Sequence, residues 1–184
     1  MLGLAGHPDI AAAAEGQPPA TRLVDSSGTP TGGSGRGQSG LPLPRFVSLK
    51  SDRVNLRHGP GTEYPTAWVF RRAGLPVEVI EEYEAWRKVR DAEGTTGWIL
   101  SSLLSGRRTA LVAPWEAKPD VPRPQIALRR NDATSADPVA MVEAGVIADI
   151  QRCDGTWCQV NVDRFRGYLE QVKLWGVYRN EIVK

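Results

Sequence analysis

From Phe46 onward, apolar and polar residues alternate in short runs: FVSLK, RVNLR, PTAWVF, LPVEVIEEY, WRKVRD and TGWILSSLL. Each run is rich in Val, Ile, Trp or Tyr and is broken by Gly, Pro or an acidic pair. This is the pattern of strands joined by turns. Within LPVEVIEE, Val77 and Val79 alternate with Glu78, which predicts one buried and one wet face. No window carries a capped helical stripe, and the AAAAEG stretch near the start is too short to hold a helix.

The second half repeats the pattern as IALRRN, PVAMVEAGVIADIQRC, TWCQVNV and RGYLEQVKLWGVY. Laid on the first half, it falls into one register. Leu56-Arg57 meets Leu128-Arg129, Ala73-Gly74 meets Ala144-Gly145, Trp86 meets Trp157, and Gly97-Trp98 meets Gly167-Tyr168. The anchors lie about 70 residues apart with single-residue slips, which marks an internal duplication. The reading is therefore all-β and duplicated, two small tandem β-barrels with Leu56 and Leu128 as equivalent core residues. The expected organisation is a flexible Gly/Pro-rich tail over 1–44, a first barrel over 45–112, a Pro-rich connector over 113–123, and a second, degenerate barrel over 124–184. The connector prolines at 114, 119, 122 and 124 oppose helix and central strand. Trp115 is expected as a wedge between the copies.

Composition narrows this picture. The chain has 184 residues, enough for two barrels near the lower size limit. Residues 1–44 hold nine of the 19 glycines and six of the 14 prolines, and Ser26 to Gly40 contains no large apolar residue. Such a segment does not repay its own ordering entropy, so a tether is expected. A net charge of +2 and a pI near 8.7 do not argue for nucleic acid as partner. No apolar run is long enough for a membrane span. The opening MLGLAGHPDIAAAAEG lacks a basic region followed by a continuous apolar one and so is no complete secretory signal.

The stretch VNLRHGPGTEYP, Val54 to Pro65, resembles the opening signature of bacterial SH3 domains, the SH3b group. The first copy as a whole resembles an alphaproteobacterial family of small SH3-domain proteins. It shares the FVSLKS opening at Phe46 to Ser51, the NLR-x-GPG-x-x-YP segment at Asn55 to Pro65, and GLPVEV at Gly74 to Val79. The hairpin at Trp86 to Arg90, Gly97-Trp98, and SLLSGRRTALV at Ser102 to Val112 complete the match. The second half is similar to that family's degenerate repeat, with LWGVY at Leu174 to Tyr178. It departs by having Arg130-Asn131-Asp132 where the first copy has His58-Gly59-Pro60, and by lacking the Tyr64-Pro65 pair. The resemblance implies tandem SH3-like barrels, each partly open and five-stranded, in an exported, envelope-located protein that binds a peptide or cell-wall peptidoglycan.

The candidate ligand-binding residues are Arg57, Tyr64 and Trp86. Arg57 offers a forked guanidinium for a carboxylate, against the alternative that it holds the barrel rim. Tyr64 and Trp86 suit an aromatic-lined groove for an extended peptide, or a sugar ring; the alternative for Trp86 is a filled corner of a small core. Trp98 and Trp68 read as core. Glu81, Glu82, Glu84, Asp91 and Glu93 read as a solvated rim rather than catalytic carboxylates. His7 and His58 are the only histidines. They sit with neither a cysteine nucleophile nor a zinc-ligand spacing, so no catalysis, metal or cofactor is expected.

Cys153 and Cys158 fall in CDGTWC, inside the hairpin that matches Tyr83 to Lys88. Facing positions of an antiparallel ladder suit a disulfide, with a reduced buried pair or a metal half-site as alternatives. Glu82 and Arg87 occupy the matching positions of the first copy, where a charge pair would hold the same register. A disulfide favours a periplasmic or secreted location over the cytoplasm. The expected function is a non-catalytic envelope module for a peptide or a peptidoglycan stem peptide. The alternative is an assembly module that makes protein–protein contacts, including a homodimer, without a small ligand.

Overall fold

The computed structural model describes residues 35–184, and the structural statements here concern those residues. The tether expected over 1–44 lies largely outside them, but residues 35–44 do not form a loose tail. They make a hairpin of β1 (Gly35–Arg36) and β2 (Pro42–Leu43). It is fastened to the first barrel because Ser39 donates its N–H and its hydroxyl to the buried Glu82 carboxylate, both at 2.7 Å. The carboxylate supplies acceptors that a polar Gly/Ser strap can satisfy without a hydrophobic core of its own.

The first sheet contains β3 (Arg45–Leu49), β4 (Val54–Arg57), β5 (Thr66–Phe70), β6 (Pro76–Tyr83), β7 (Trp86–Arg90), β8 (Thr96–Leu100) and β9 (Leu104–Ser105). Its order is β5-β4-β8-β7-β6-β3-β9, antiparallel throughout. The second contains β10 (Thr109–Val112), β11 (Gln125–Arg129), β12 (Pro138–Glu143), β13 (Ile147–Asp154), β14 (Trp157–Val162), β15 (Phe165–Glu170) and β16 (Leu174–Trp175). Its order is β12-β11-β15-β14-β13-β10-β16, with β17 (Ile182–Val183) added against β13. Strand for strand the two orders are the same. Each copy thus has seven strands on this path rather than the five expected. One of the added strands in each copy, β9 or β16, is a two-residue piece at the sheet edge, too brief to stand out as alternating text.

This pairing moves one boundary. Thr109–Val112 was expected to end the first barrel. It pairs instead with Ile147 to Asp149 and with Leu174-Trp175, so it opens the second barrel as β3 opens the first. All four of its residues are buried, and Ala110 and Val112 belong to the second core.

Each sheet wraps its own core. Val47, Leu49, Val54, Leu56, Phe70, Val77, Val79, Val89 and Ile99 fill the first. Leu128, Val142, Ile150, Val160, Leu169 and the two cysteines are among those filling the second. Leu56 and Leu128 are both fully buried, as the repeat requires. The copies even share irregularities. A register shift falls between Val79 and Glu81 in one and between Ile150 and Arg152 in the other. A second falls at Leu56/Arg57 and at Leu128/Arg129. Bulges of this kind bend a strand and re-aim its side chains.

The barrels meet through aromatic side chains and buried polar contacts. Phe46 lies 5.1 Å edge-on from Trp175 and 4.8 Å from Tyr178, measured between ring centres. The Tyr178 hydroxyl donates to Glu78 at 3.0 Å, and Arg90 Nε donates to the other Glu78 oxygen at 2.9 Å. Thr109 donates to the Gly74 carbonyl at 2.7 Å, and Arg72 to the Gly145 carbonyl at 3.0 Å. Two expectations change here. Glu78 does not face water but is 4% exposed under the second barrel, because Tyr178 and Arg90 satisfy its charge there. Trp115, expected as the wedge, is 53% exposed in a 3₁₀ turn, and Phe46, Trp175 and Tyr178 take that role.

Candidate functional site

In the first barrel, the outer face of β4, β8 and β7 carries Arg57 beside Trp98 and Trp98 beside Lys88. Lys88 lies with its ammonium 5.9 Å from the Trp98 ring centre and pairs with Glu81 at 3.2 Å. Trp98 is buried, as expected of a residue closing the barrel.

Arg57 holds the loop that follows it. Its guanidinium donates to the carbonyls of Thr62 at 3.1 Å and Tyr64 at 2.6 Å. Arg129 does the same in the second copy, donating to Ala136 at 2.7 Å. The loop ends are tied alike, His58 N–H to Pro65 and Arg130 N–H to Asp137. An arginine that holds this loop by its carbonyls is therefore common to both copies, even though the Gly-Pro-Gly turn is not. Tyr64 is 41% exposed, and its ring lies over Gly59, where a Cβ would come within 2.4 Å of it. Arg57 and Tyr64 are thus brought together. Trp86 stands apart, half-buried two residues along β7 from Lys88 and paired with Tyr83 and Leu100. Tyr83 is exposed, so the hairpin tip shows two aromatics to solvent.

Two further aromatic and acidic residues differ from expectation. Trp68, read as core, is 60% exposed on the edge strand β5, where it lines a cleft with Pro76, Glu93 and Leu111. Sequence alternation alone does not say which face of an edge strand is covered. Glu82, read as solvated rim, is buried. It accepts from Arg45 at 2.7 Å, and Arg87 lies 3.2 Å away. Burial alone would raise its pKa. The Ser39 hydrogen bonds, Arg45 and the Arg87 charge outweigh burial and hold it at about 2 against an ordinary 4.5.

At the equivalent hairpin position of the second copy, Cys153 faces Cys158 across β13 and β14, and the two form a disulfide with Cα atoms 4.1 Å apart. Glu82 pairs with Arg87 in the same place in the first copy. Asp154 closes the turn by accepting from the N–H groups of Thr156 and Trp157, both at 2.8 Å, which lowers its pKa.

The outer face of the second copy is built from different residues. Arg129 neighbours Tyr168, Tyr168 neighbours Gln159, and Gln159 neighbours Arg152. Arg152 donates to the Tyr168 oxygen at 3.0 Å and Gln159 Nε2 donates to it at 3.1 Å. Arg166 donates to Gln159 Oε1 at 2.8 Å. These side chains border an open cleft of ≈ 780 Å³, walled on one side by Trp157. A second cleft of ≈ 560 Å³ lies on the other flank of Trp157, bordered by Gln171, Val172 and Arg179. Nothing in the sequence pattern pointed to this face, since the departures in the second copy suggested loss of a site. What the repeat register does hold is Arg152 and Gln159 at the positions of Glu81 and Lys88, beside Arg166 and Tyr168 two apart on β15.

Among the described residues no group of three or more His, Cys, Asp or Glu is placed to hold a metal ion. No helix there is long and apolar enough to cross a membrane.

A family model described as bacterial SH3 domain matches residues 50–106 and again residues 123–176. No curated protein matches the chain. Among solved structures, NlpC2 from Trichomonas vaginalis is similar at 13% identity and a TM-score of 0.32, over 72% of this chain and 48% of that one. NlpC1 from the same organism is similar at 14% identity and a TM-score of 0.31, over 72% of this chain and 45% of that one. This chain thus spans about half the length of those two structures.

Proposed function

We propose, since the chain belongs to the bacterial SH3 domain family and carries that domain twice, that it is a non-catalytic binding module of the cell envelope. Its ligand is a peptide, with a peptidoglycan stem peptide as the form that suits an envelope location. The observation that carries this reading is that the first barrel leaves Tyr64, Trp68 and Tyr83 exposed although a barrel of this size gains from burying such rings. Arg57 fixes the Tyr64 loop, and Trp86 and Tyr83 form the hairpin tip. Aromatic rings held on a stiff scaffold contact an extended peptide at small entropic cost. The Cys153–Cys158 bridge is compatible with an oxidising compartment, and the periplasm or the cell exterior is the location proposed.

The test is a titration of the full chain with soluble wall fragments and with proline-rich peptides, followed by residue-resolved NMR. Signals of Tyr64 and Trp86 are expected to move. Trp86→Ala is expected to weaken binding by about 1.4 kcal/mol, roughly tenfold, as loss of an aromatic anchor does. Equal affinity of wild type and a folded Trp86→Ala variant removes this surface from the reading. A second reading, an assembly module, is favoured by the polar and aromatic join between the barrels. Concentration-dependent self-association with no response to any fragment would select it.

A further inference from the structure

The second barrel has lost the Gly-Pro-Gly loop, yet its outer face borders a cleft of ≈ 780 Å³. In the first barrel Lys88 covers Trp98 and is neutralised by Glu81. At the two matching positions the second barrel has Gln159 and Arg152, so a pair that closed on itself is replaced by two donors. Tyr168 takes the place of Trp98 and adds a hydroxyl.

The hydrogen bonds at this face link the four polar side chains into one network. Arg166 donates to Gln159 Oε1, which turns the Gln159 amide so that Nε2 donates to Tyr168. Arg152 donates to the same phenol oxygen. A hydroxyl oxygen has two lone pairs and one proton, and both lone pairs are now engaged. The Tyr168 proton remains to be donated, and the hydrogen bonds among the described residues bring it no acceptor. Arg152 and Arg166 make no ion pair within 4.0 Å among those residues. Two acidic side chains border the cleft, Asp132 and Asp154; both charges act on Arg152, but neither carboxylate forms a salt bridge with it, and Asp154 spends its Oδ1 on the turn N–H groups. Three kinds of donor thus converge on one depression with a tryptophan wall.

We propose that this cleft, bordered by Arg152, Trp157, Gln159, Arg166 and Tyr168, binds the carboxylate of a short peptide. The ligand carboxylate takes hydrogen bonds from the Tyr168 hydroxyl and the two guanidinium groups, which suit its planar, two-oxygen acceptor. The adjoining residue of the peptide lies against Trp157, and the chain continues toward the cleft on the other flank of that ring. The inference rests on the binding-module reading for the class of ligand, but it places the contact on the second barrel rather than on Trp86.

The experiment is a low-salt NMR titration of the full chain with the tetrapeptide Ala-Glu-Lys-Ala bearing a free C-terminal carboxylate. A carboxylate-free version of the same length, Ala-Gln-Gln-Ala with an acetylated N-terminus and a C-terminal amide, is run beside it. The carboxylate-bearing peptide is expected to move the Trp157 indole signal and the amides around Arg152 and Tyr168. The carboxylate-free version should bind about tenfold or more weakly, the size expected for losing hydrogen bonds to a charged group. Arg152→Gln and Tyr168→Phe should each lower affinity for the carboxylate-bearing peptide while leaving the amide spectrum of the first barrel unchanged. Tyr168→Phe keeps the ring and deletes the hydroxyl alone. Equal binding of both peptides overturns the carboxylate assignment. Shifts confined to Tyr64 and Trp86 overturn this site and leave the binding-module reading standing. No shift anywhere, with either peptide or with wall fragments, overturns both.

Discussion

Glu82 shows how one side chain can be misjudged by its neighbours in sequence. It sits in an acidic run, IEEYE, and reads as part of a wet rim. In the structure Ser39, Arg45 and Arg87 converge on it. Because its folded pKa, about 2, lies below the ordinary 4.5, its contribution to stability is fully present above about pH 4.5. It is lost as the pH falls from there through 2. The size is about 3 kcal/mol by the free energy of one pH unit. Acid titration of the unfolding free energy should show this slope, and Glu82→Gln should abolish it. Glu82→Ala at neutral pH should cost about 3–5 kcal/mol, the usual effect of stranding buried cations. It should also speed amide exchange at residues 37–39. A flat acid profile in the wild-type protein would mean that this carboxylate is not held as described.

At the scale of elements, the two β-hairpins of matching position are held by different chemistry. Reducing the Cys153–Cys158 bridge, or replacing both cysteines by serine, should lower stability by about 2 kcal/mol, since the closed loop is short. Chemical denaturation with and without reductant measures this. The β13–β14 hairpin should gain exchange first, with β6–β7 unaffected. Much of this level was legible in the sequence because the repeat anchors are backbone requirements. Gly74 and Gly145 both turn the chain at positive φ, 75° and 83°. Gly97 and Gly167 sit where a Cβ would meet the carbonyl oxygens of Arg57 and Arg129 at 2.8 and 2.6 Å. Leu56 and Leu128 fill the cores. Such needs survive duplication, so they stayed readable. The outward residues carry no such constraint. Trp68, Glu78 and the Arg152–Tyr168 face were not legible, because what covers an outer face comes from another part of the chain.

On the scale of the whole molecule, the barrels unfold together or apart according to the join between them. Phe46→Ala removes the ring that touches both Trp175 and Tyr178, at a cost of about 3 kcal/mol. Tyr178→Phe leaves one Glu78 oxygen without its donor, costing about 1–3 kcal/mol. The Tyr178 proton is bound more tightly than in a free phenol, first through burial and then through the Glu78 charge, so the contact should persist into alkaline solution. Calorimetry is expected to give one transition for the wild type and two for Phe46→Ala. A single sharp transition in both would show that this join does not couple the halves.

The substitution of a disulfide for a charge pair at one hairpin position has a further consequence. Electrons hold that position in one barrel and the absence of a proton holds it in the other. A reductant then reaches the β13–β14 hairpin and leaves the charge pair of β6–β7 intact, so the first hairpin serves as an internal reference for the second, under one solvent and at one protein concentration. Acid is the less selective reagent, because the Asp154 carboxylate of the second hairpin is also held below its ordinary pKa, as Glu82 is in the first.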